Sequence, residues 1–437
     1  MTYQETCEYL YSQLPMFERQ GAGGYKEGLE NSHALDKHFG HPHQKYITIH
    51  VAGTNGKGSC AHTLSAILQM CGYRVGLYTS PHLVDFSERI RVNGQPISEE
   101  YVTEFVEKEK SFFEPLKPSF FELTTAMAFK YFAEMDVDIA VIEVGLGGRL
   151  DCTNIITPAL SVITNIGFDH MQFLGNSLEQ IATEKAGIIK KNVPVVIGET
   201  TPETRVVFDT FASELHAPIV FAEDNNQIVS AQNGPTGYEY KTKDFGIIKG
   251  ELCGSYQEKN TNTILCAVQQ LEALGYMHAC KCEAQKPCMN IEVSQGFQHV
   301  CSLTGLKGRW QKIGEAPLTI CDTGHNVPGW TYLSEQLKAV KCNHMHIVFG
   351  MVDDKDIHGV MALLPKNATY YFTKASNKRA VSESVLKLYA QTLGLKGETY
   401  PDVKTAYDTA KAVADNNDFV FVGGSSYVVA DLLKNCI

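Results

Sequence analysis

The chain has 437 residues, room for two or three domains at roughly 150 residues each, and 44% hydrophobic against 20% charged residues excludes a largely disordered chain. Thirty-eight basic against 49 acidic side chains give a net charge of −11, which argues against a nucleic-acid partner. No run reaches the roughly 20 apolar residues that cross a bilayer, and residues 1–20 carry acids and amides where a secretory signal would be basic and then apolar, so a cytoplasmic protein with no membrane partner is expected.

In chain order, residues 46–52 (YITIHVA) form an apolar, β-branched run that stops at Gly53 and predict a buried strand, followed by a helix over 61–70 and a second strand over 74–78. Helices are expected over 99–110, 123–134 and 177–186, and strands over 139–144, 160–163 and 193–197. Strands alternating with helices, and apolar throughout, predict a mostly parallel sheet covered on both faces. Residues 223–253 turn polar with weak alternation and read as antiparallel strands or loops decorating the first domain. A helix over 260–274 follows, then a polar stretch, 276–300, that holds Cys280, Cys282 and Cys288 just after His278. These lack the paired CxxC spacing of a zinc site, and the thirteen cysteines are expected as free thiols. A second α/β series begins near 301, with strands over 318–321, 346–349, 369–372 and 419–422. Its helices are expected over 330–340, 357–364, 381–393, 403–414 and 431–434. The expected domains are therefore 1–298 and a smaller 303–437.

Gly53, Thr54, Asn55, Gly56, Lys57, Gly58 and Ser59 join the first strand to its helix. Glycines there turn the backbone tightly and aim N–H groups at phosphate oxygens, and the helix adds its positive end. Lys57 reaches terminal phosphates, and Ser59 offers a hydroxyl to Mg2+. The run is shorter than the usual phosphate-loop pattern and has an extra Gly after the Lys.

This variant loop, together with a series of motifs downstream of it, resembles the folylpolyglutamate synthase/dihydrofolate synthase family of the Mur ligase superfamily. The matching runs are HVAGTNGKGS (50–59), GLYTSPHLVDFSERIRVNG (76–94), FELTTAMAF (121–129), EVGLGGRLDCTN (143–154), SVITNIGFDHMQFLG (161–175), EKAGIIK (184–190), GRWQ (308–311), DTGHN (322–326) and GMVDDKD (350–356). Departures are small: Lys307 stands where Pro is common, DTGHN replaces DGAHN, and Cys152 stands where Ala is usual.

The resemblance implies a two-domain Mur-ligase-like α/β fold, with a phosphate-loop N-terminal domain and a Rossmann-like C-terminal one. It implies an ATP- and Mg2+-dependent ligase, usually bifunctional and monomeric. Such an enzyme activates the carboxylate of dihydropteroate or of a reduced folate as an acyl phosphate and then joins L-glutamate to it. Ser59, Ser80, Glu143, His170 and Lys185 match the metal environment, Lys185 as a carbamate; read from spacing alone, Lys185 is a helix-surface lysine. Asn260, Arg309 and Asp322 match the nucleotide site, a helix cap being the other reading of Asn260. His325 is assigned, with His170 and Lys185, to catalysis. Arg89, Phe121, Thr124, Asp151 and Ser425 are assigned to substrate, with loop bracing, core packing and an N-cap as the other readings of Arg89, Phe121 and Ser425. Two further readings stand beside this one. A cell-wall ligase shares the chemistry but not the SPHLVDFSERIR, GLGGRLD and EKAGIIK runs. A nucleotide switch would need a guanine-specificity motif of the NKxD kind, which has no suitable strand context here.

Overall fold

In the computed structural model, residues 1–15, 28–234, 237–277 and 289–437 are described. The chain divides into two compact units. The first is Met1–Gly167, Met171–Glu251 and Gln257–Leu306; the second is Phe168–His170, Leu252–Tyr256 and Lys307–Ile437. The division at 306/307 falls a few residues beyond the expected boundary, because two helices come after the polar stretch and pack on the first unit.

The first unit is built on an eight-stranded sheet: β1 (Ile47–Ala52), β2 (Val75–Tyr78), β3 (Ile90–Val92), β4 (Gln95–Pro96), β5 (Ile139–Glu143), β6 (Leu160–Ile163), β7 (Val195–Ile197) and β8 (Ile219–Phe221). Their order is β4-β3-β2-β5-β1-β6-β7-β8; the six strands from β2 to β8 in that order are parallel, and β3 and β4 are antiparallel at one edge. Strand alternation sends Ile49 and Val51 to one core, shared with the helices Lys57–Met70 and Gln257–Ala273, while Ala52 joins another, with the helix Leu178–Ala186. Three antiparallel strands, β9 (Ile228–Gly234), β10 (Gly237–Thr242) and β11 (Ile247–Gly250), complete the expected decoration.

The polar stretch conceals a helix, Met289–Gln298, whose Val293 and Phe297 are buried in the first core; a short helix, Val300–Thr304, comes next. Neither was expected, since the apolar residues are outnumbered by polar ones within ten positions. His278, Cys280, Cys282 and Cys288 lie outside the described residues; the described cysteines are free thiols. No helix among the described residues is long and apolar enough to cross a membrane.

The second unit carries β12 (Gln311–Glu315), β13 (Leu318–Asp322), β14 (Met345–Phe349), β15 (Thr369–Phe372), β16 (Lys396–Thr399) and β17 (Phe419–Gly423), ordered β12-β13-β17-β14-β15-β16. All but β12 are parallel. Ile347 and Phe421 face one core with buried Trp330, and Val348 and Val422 face the other. This is the doubly covered sheet that the apolar strand runs imply. The last helix starts at Ser426, earlier than the expected 431, because Ser425 caps it.

Candidate functional site

At the C-terminal ends of the first unit's parallel strands, three loops meet, as ligand sites of open α/β sheets do. The first is the phosphate loop. Gly53 has φ +147, and a Cβ there would lie 1.8 Å from the Thr164 hydroxyl; Gly56, at φ +83, caps the helix Lys57–Met70 and would collide with the Asn260 carboxamide. Only glycine fits both the backbone and the space. The loop is braced from the next strand end: Thr54 N donates to Asn165 O at 2.9 Å, Asn55 N to Asn165 Oδ1 at 2.9 Å, and Gly167 N to Thr54 Oγ1 at 3.0 Å. A Gly N-cap brings no side chain to cover the helix's first N–H groups, so that end suits an anion.

Lys57 Nζ donates to Gly53 O at 3.0 Å and to Thr54 O at 3.1 Å. Lys185 Nζ donates to the same Gly53 carbonyl, also at 3.0 Å. Lys185 is only 4% exposed, which corrects the surface-lysine reading. Two ammonium groups sharing one acceptor lie at most about 6 Å apart, and two such charges repel by about 3 kcal/mol at an effective dielectric near 20.

The second loop, 144–151, holds Lys185 in place. Arg149 N donates to Glu184 O at 2.7 Å, and its guanidinium pairs with the Glu184 carboxylate. The Phe121 ring lies over Gly145, so closely that a methyl there would overlap it. Thr124 is buried, with its hydroxyl donating to Phe120 O within their helix. Asp151, also buried, accepts from Leu146 N at 2.8 Å and Thr153 N at 3.0 Å. Burial pushes its carboxyl up, against the pull of these donors.

The third loop comes after β2. Ser80 N donates to Glu143 Oε2 at 3.3 Å, and Glu143 is buried at the end of β5. Arg89 is fully buried, donating to His82 Nδ1 at 2.7 Å with its guanidinium 5.0 Å over the Phe120 ring. It therefore braces this loop. Buried Ser59 accepts from Gln257 Nε2 at 3.2 Å, and Asn260 Nδ2 donates to Gln257 Oε1 at 2.9 Å. Asn260 lies inside the helix Gln257–Ala273, not at its cap, and faces the phosphate loop at Gly56.

No cluster of three His, Cys, Asp or Glu side chains suited to a metal occurs among the described residues. The donors present are a carboxylate (Glu143) and hydroxyls (Ser59, Ser80). These are hard oxygen ligands of the kind Mg2+ takes in ones and twos alongside phosphate oxygens, so the donor chemistry fits that ion.

The second unit brings its own polar cluster together. Asp169 accepts from Lys355 Nζ at 2.6 Å and Asn326 Nδ2 at 2.9 Å, with His325 Nε2 at 3.4 Å. Burial favours the neutral acid, but the His325 hydrogen bond and the Lys355 ammonium hold its carboxyl well below the ordinary range. His170 is in the left-handed region at φ 51, with Nε2 3.3 Å from Lys355 Nζ. Burial pushes its pKa down to about 3, outweighing the attraction of Asp169. The sequence does not mark Lys355, because GMVDDKD offers two acids beside it and no signal of which side chain turns inward. Its own exposure, 7%, marks it as part of the cluster.

Arg309 donates to Gly308 O at 3.2 Å and to the Thr323 hydroxyl. Asp322 accepts from Tyr256 OH at 2.6 Å, Trp310 N at 2.7 Å and Gly324 N at 2.8 Å. Ser425 Oγ accepts from Tyr427 N and Val428 N, so its hydroxyl is the N-cap of the last helix.

A phosphate loop on a parallel sheet, with buried oxygen side chains at neighbouring strand ends and a second parallel α/β unit, is the architecture of nucleotide-dependent phosphoryl chemistry. Residues 51–268 match the Mur ligase middle domain, and residues 308–426 match the Mur ligase glutamate ligase domain. The chain is 33% identical over 445 residues to the dihydrofolate synthase/folylpolyglutamate synthase of Bacillus subtilis (strain 168), spanning 99% of this chain and 98% of that one. Among solved structures it is similar to E. coli FolC in complex with DHPP and ADP, at 30% identity and TM-score 0.82, covering 99% of this chain and 97% of that one. It is also similar to the Yersinia pestis bifunctional folylpolyglutamate synthase/dihydrofolate synthase complexed with AMPPNP and Mn ion, at 29% identity and TM-score 0.79, covering 99% and 98%. The chain belongs to the folylpolyglutamate synthase/dihydrofolate synthase family, and it is an ATP-dependent, amide-forming ligase of the Mur type.

Proposed function

We propose that this ligase joins L-glutamate to a pteridine-bearing acid, both to dihydropteroate and to reduced folates that already carry glutamate, in one site. The observation that carries the reading is the convergence of Lys57 and Lys185 on the Gly53 carbonyl. Two ammonium groups this close repel each other, and a carbamate on Lys185 would turn that repulsion into attraction. Glu143, Ser59 and Ser80, with carbamylated Lys185 and His170, are the proposed ligands of Mg2+; the ion supplies charge neutralisation for the transferring phosphoryl group. The N–H groups at the start of the helix Lys57–Met70 and the Lys57 ammonium hold the ATP phosphates, with Arg309, Asp322 and Asn260 on the nucleotide. Phosphoryl transfer to the acid gives an acyl phosphate and ADP. The glutamate amine then attacks its carbonyl carbon, phosphate leaves with the C–O bond electrons, and the amine releases a proton. His325, whose Nε2 lies 3.4 Å from Asp169 Oδ2, is assigned to receive or hold that proton. The Phe121 ring and the loop carrying Asp151 are assigned to the pteridine-bearing acid. Free thiols at the described cysteines fit a reducing compartment, and we place the reaction in the cytoplasm.

Two experiments test this. Lys185→Ala should abolish turnover, and a short-chain carboxylic acid should restore part of it; full activity in the variant alone sinks the carbamate. Phosphate release should require glutamate together with either dihydropteroate or tetrahydrofolate. Release with neither acid nor glutamate would instead indicate a nucleotide switch.

A further inference from the structure

We propose that His50 is a positioning residue for the acid substrate, acting through a directed hydrogen-bond chain from the strand under the phosphate loop to the loop 145–149. This rests on the placement of that acid beside Asp151. β1 is otherwise a core strand: Ile49, Val51 and Ala52 are all fully buried, and an imidazole in their midst is itself wholly inaccessible. A hydrocarbon would ordinarily occupy such a position, since an unsatisfied buried polar group is costly. His50 Nε2 lies 2.8 Å from Thr153 Oγ1. The Thr153 hydroxyl has one proton, and it goes to Asp151 Oδ1. Thr153 Oγ1 therefore accepts from His50, which puts the imidazole proton on Nε2. His50 Nδ1 has no hydrogen-bond partner among the described residues, in keeping with that tautomer. Burial, with Lys190 adding to it, pushes the imidazole down to about 3, so it is neutral at physiological pH and stays a single-proton donor.

The far end of the chain is what gives it a consequence. Asp151 Oδ2 accepts from Leu146 N at 2.8 Å, so the carboxylate whose first oxygen is held through Thr153 uses its second to fix the backbone of 145–149. That backbone lies under the Phe121 ring at Gly145 and holds the end of the Lys185 helix at Arg149. His50 stands three residues before Gly53. One row of three donors thus sets the register between the strand feeding the phosphate loop and the loop assigned to the acid. Each donor points toward Asp151; Thr153 N also donates to Asp151 Oδ1 at 3.0 Å, so an apolar residue at any step leaves the next hydroxyl or carboxylate one donor short and loosens its hold.

The test compares His50→Leu, which fills the space without donating, with His50→Gln, whose carboxamide nitrogen reaches the place of Nε2. Thr153→Val cuts the chain at its middle without touching β1. Amide hydrogen exchange at Leu146 in the unliganded protein reads the chain itself. Steady-state kinetics with dihydropteroate read its effect on substrate. His50→Leu and Thr153→Val should each speed Leu146 exchange and raise KM for the acid about tenfold, the scale of one lost buried hydrogen bond. KM for ATP should be unchanged, His50→Gln should stay near wild type on both readouts, and the double variant should be no worse than either single one. Unchanged Leu146 exchange in His50→Leu, or identical behaviour of the Leu and Gln variants, overturns the chain and leaves a packing histidine. Faster exchange with an unmoved acid KM overturns the positioning role and faults the placement of the acid beside Asp151, while phosphate release that still requires acid and glutamate would leave the ligase reading intact.

Discussion

The two units use the same architecture, parallel strands whose C-terminal ends carry polar loops, yet they commit their polar groups differently. In the first unit the site loops brace one another, through Thr54 with Asn165 and Gly167 and through Arg149 with Glu184, and the phosphate-loop helix starts from a glycine. In the second unit three of the assigned residues use their side chains internally: Asp322 takes three donors, Ser425 caps a helix, and Arg309 bonds its own strand neighbourhood. A buried polar residue at a strand end is therefore weak evidence for a ligand contact until its own hydrogen bonds are counted.

The largest effect that would sharpen this contrast is on Lys57. Lys57→Met keeps most of the stem and removes the charge, so kcat should fall about 10²–10³-fold with little change in thermal unfolding. If stability fell and activity did not, the loop would be structural, as in the second unit. Asp322→Ala tests the opposite side. It leaves the Tyr256 hydroxyl and the Trp310 and Gly324 amides without their acceptor, and should cost about 3 kcal/mol in urea unfolding. A variant that keeps its stability while losing ATP affinity would show that the carboxylate serves the nucleotide and not the fold.

Much of this was legible because strand and loop chemistry are local. The apolar runs around 47–52, 139–143 and 419–423 and the glycines of the phosphate loop announce themselves within ten residues. What stayed hidden depended on packing. β3, β8, β12 and β16 are short or lie toward sheet edges, and the helix Met289–Gln298 buries only a few of its residues. The helices Tyr3–Gln13, Glu30–His38 and Pro202–Glu214 went unexpected, although the Thr2–Glu5 capping box and Thr201 just before Pro202 are start signals for two of them. Burial of Lys185 and Lys355 is likewise a tertiary fact: nothing in EKAGIIK or DDKD says which side chain turns inward.

A smaller effect comes from pH. His50 has a folded pKa of about 3, below the ordinary 6.5, so between those values the unfolded chain binds a proton that the folded one refuses. Stability should therefore fall as pH drops from about 6.5 toward 3, and His50→Gln should flatten that part of the curve. The difference between the two proteins in urea midpoints at pH 7, 6 and 5 isolates His50 from half-buried His170 and buried His346, which are also pushed down. Equal slopes would mean that the imidazole is solvated in solution.

The smallest expected effect decides Ser425. Its hydroxyl accepts from Tyr427 N and Val428 N and is buried, so Ser425→Ala removes an N-cap and should cost about 1 kcal/mol. If capping is its whole role, Ser425→Asp or Ser425→Asn, which also cap, should recover that stability, and KM for glutamate should stay within twofold of wild type in all three. A rise in KM for glutamate that the capping replacements fail to reverse would show that the hydroxyl serves substrate as well as helix. The second unit would then resemble the first, in which a group that holds the fold also faces the chemistry.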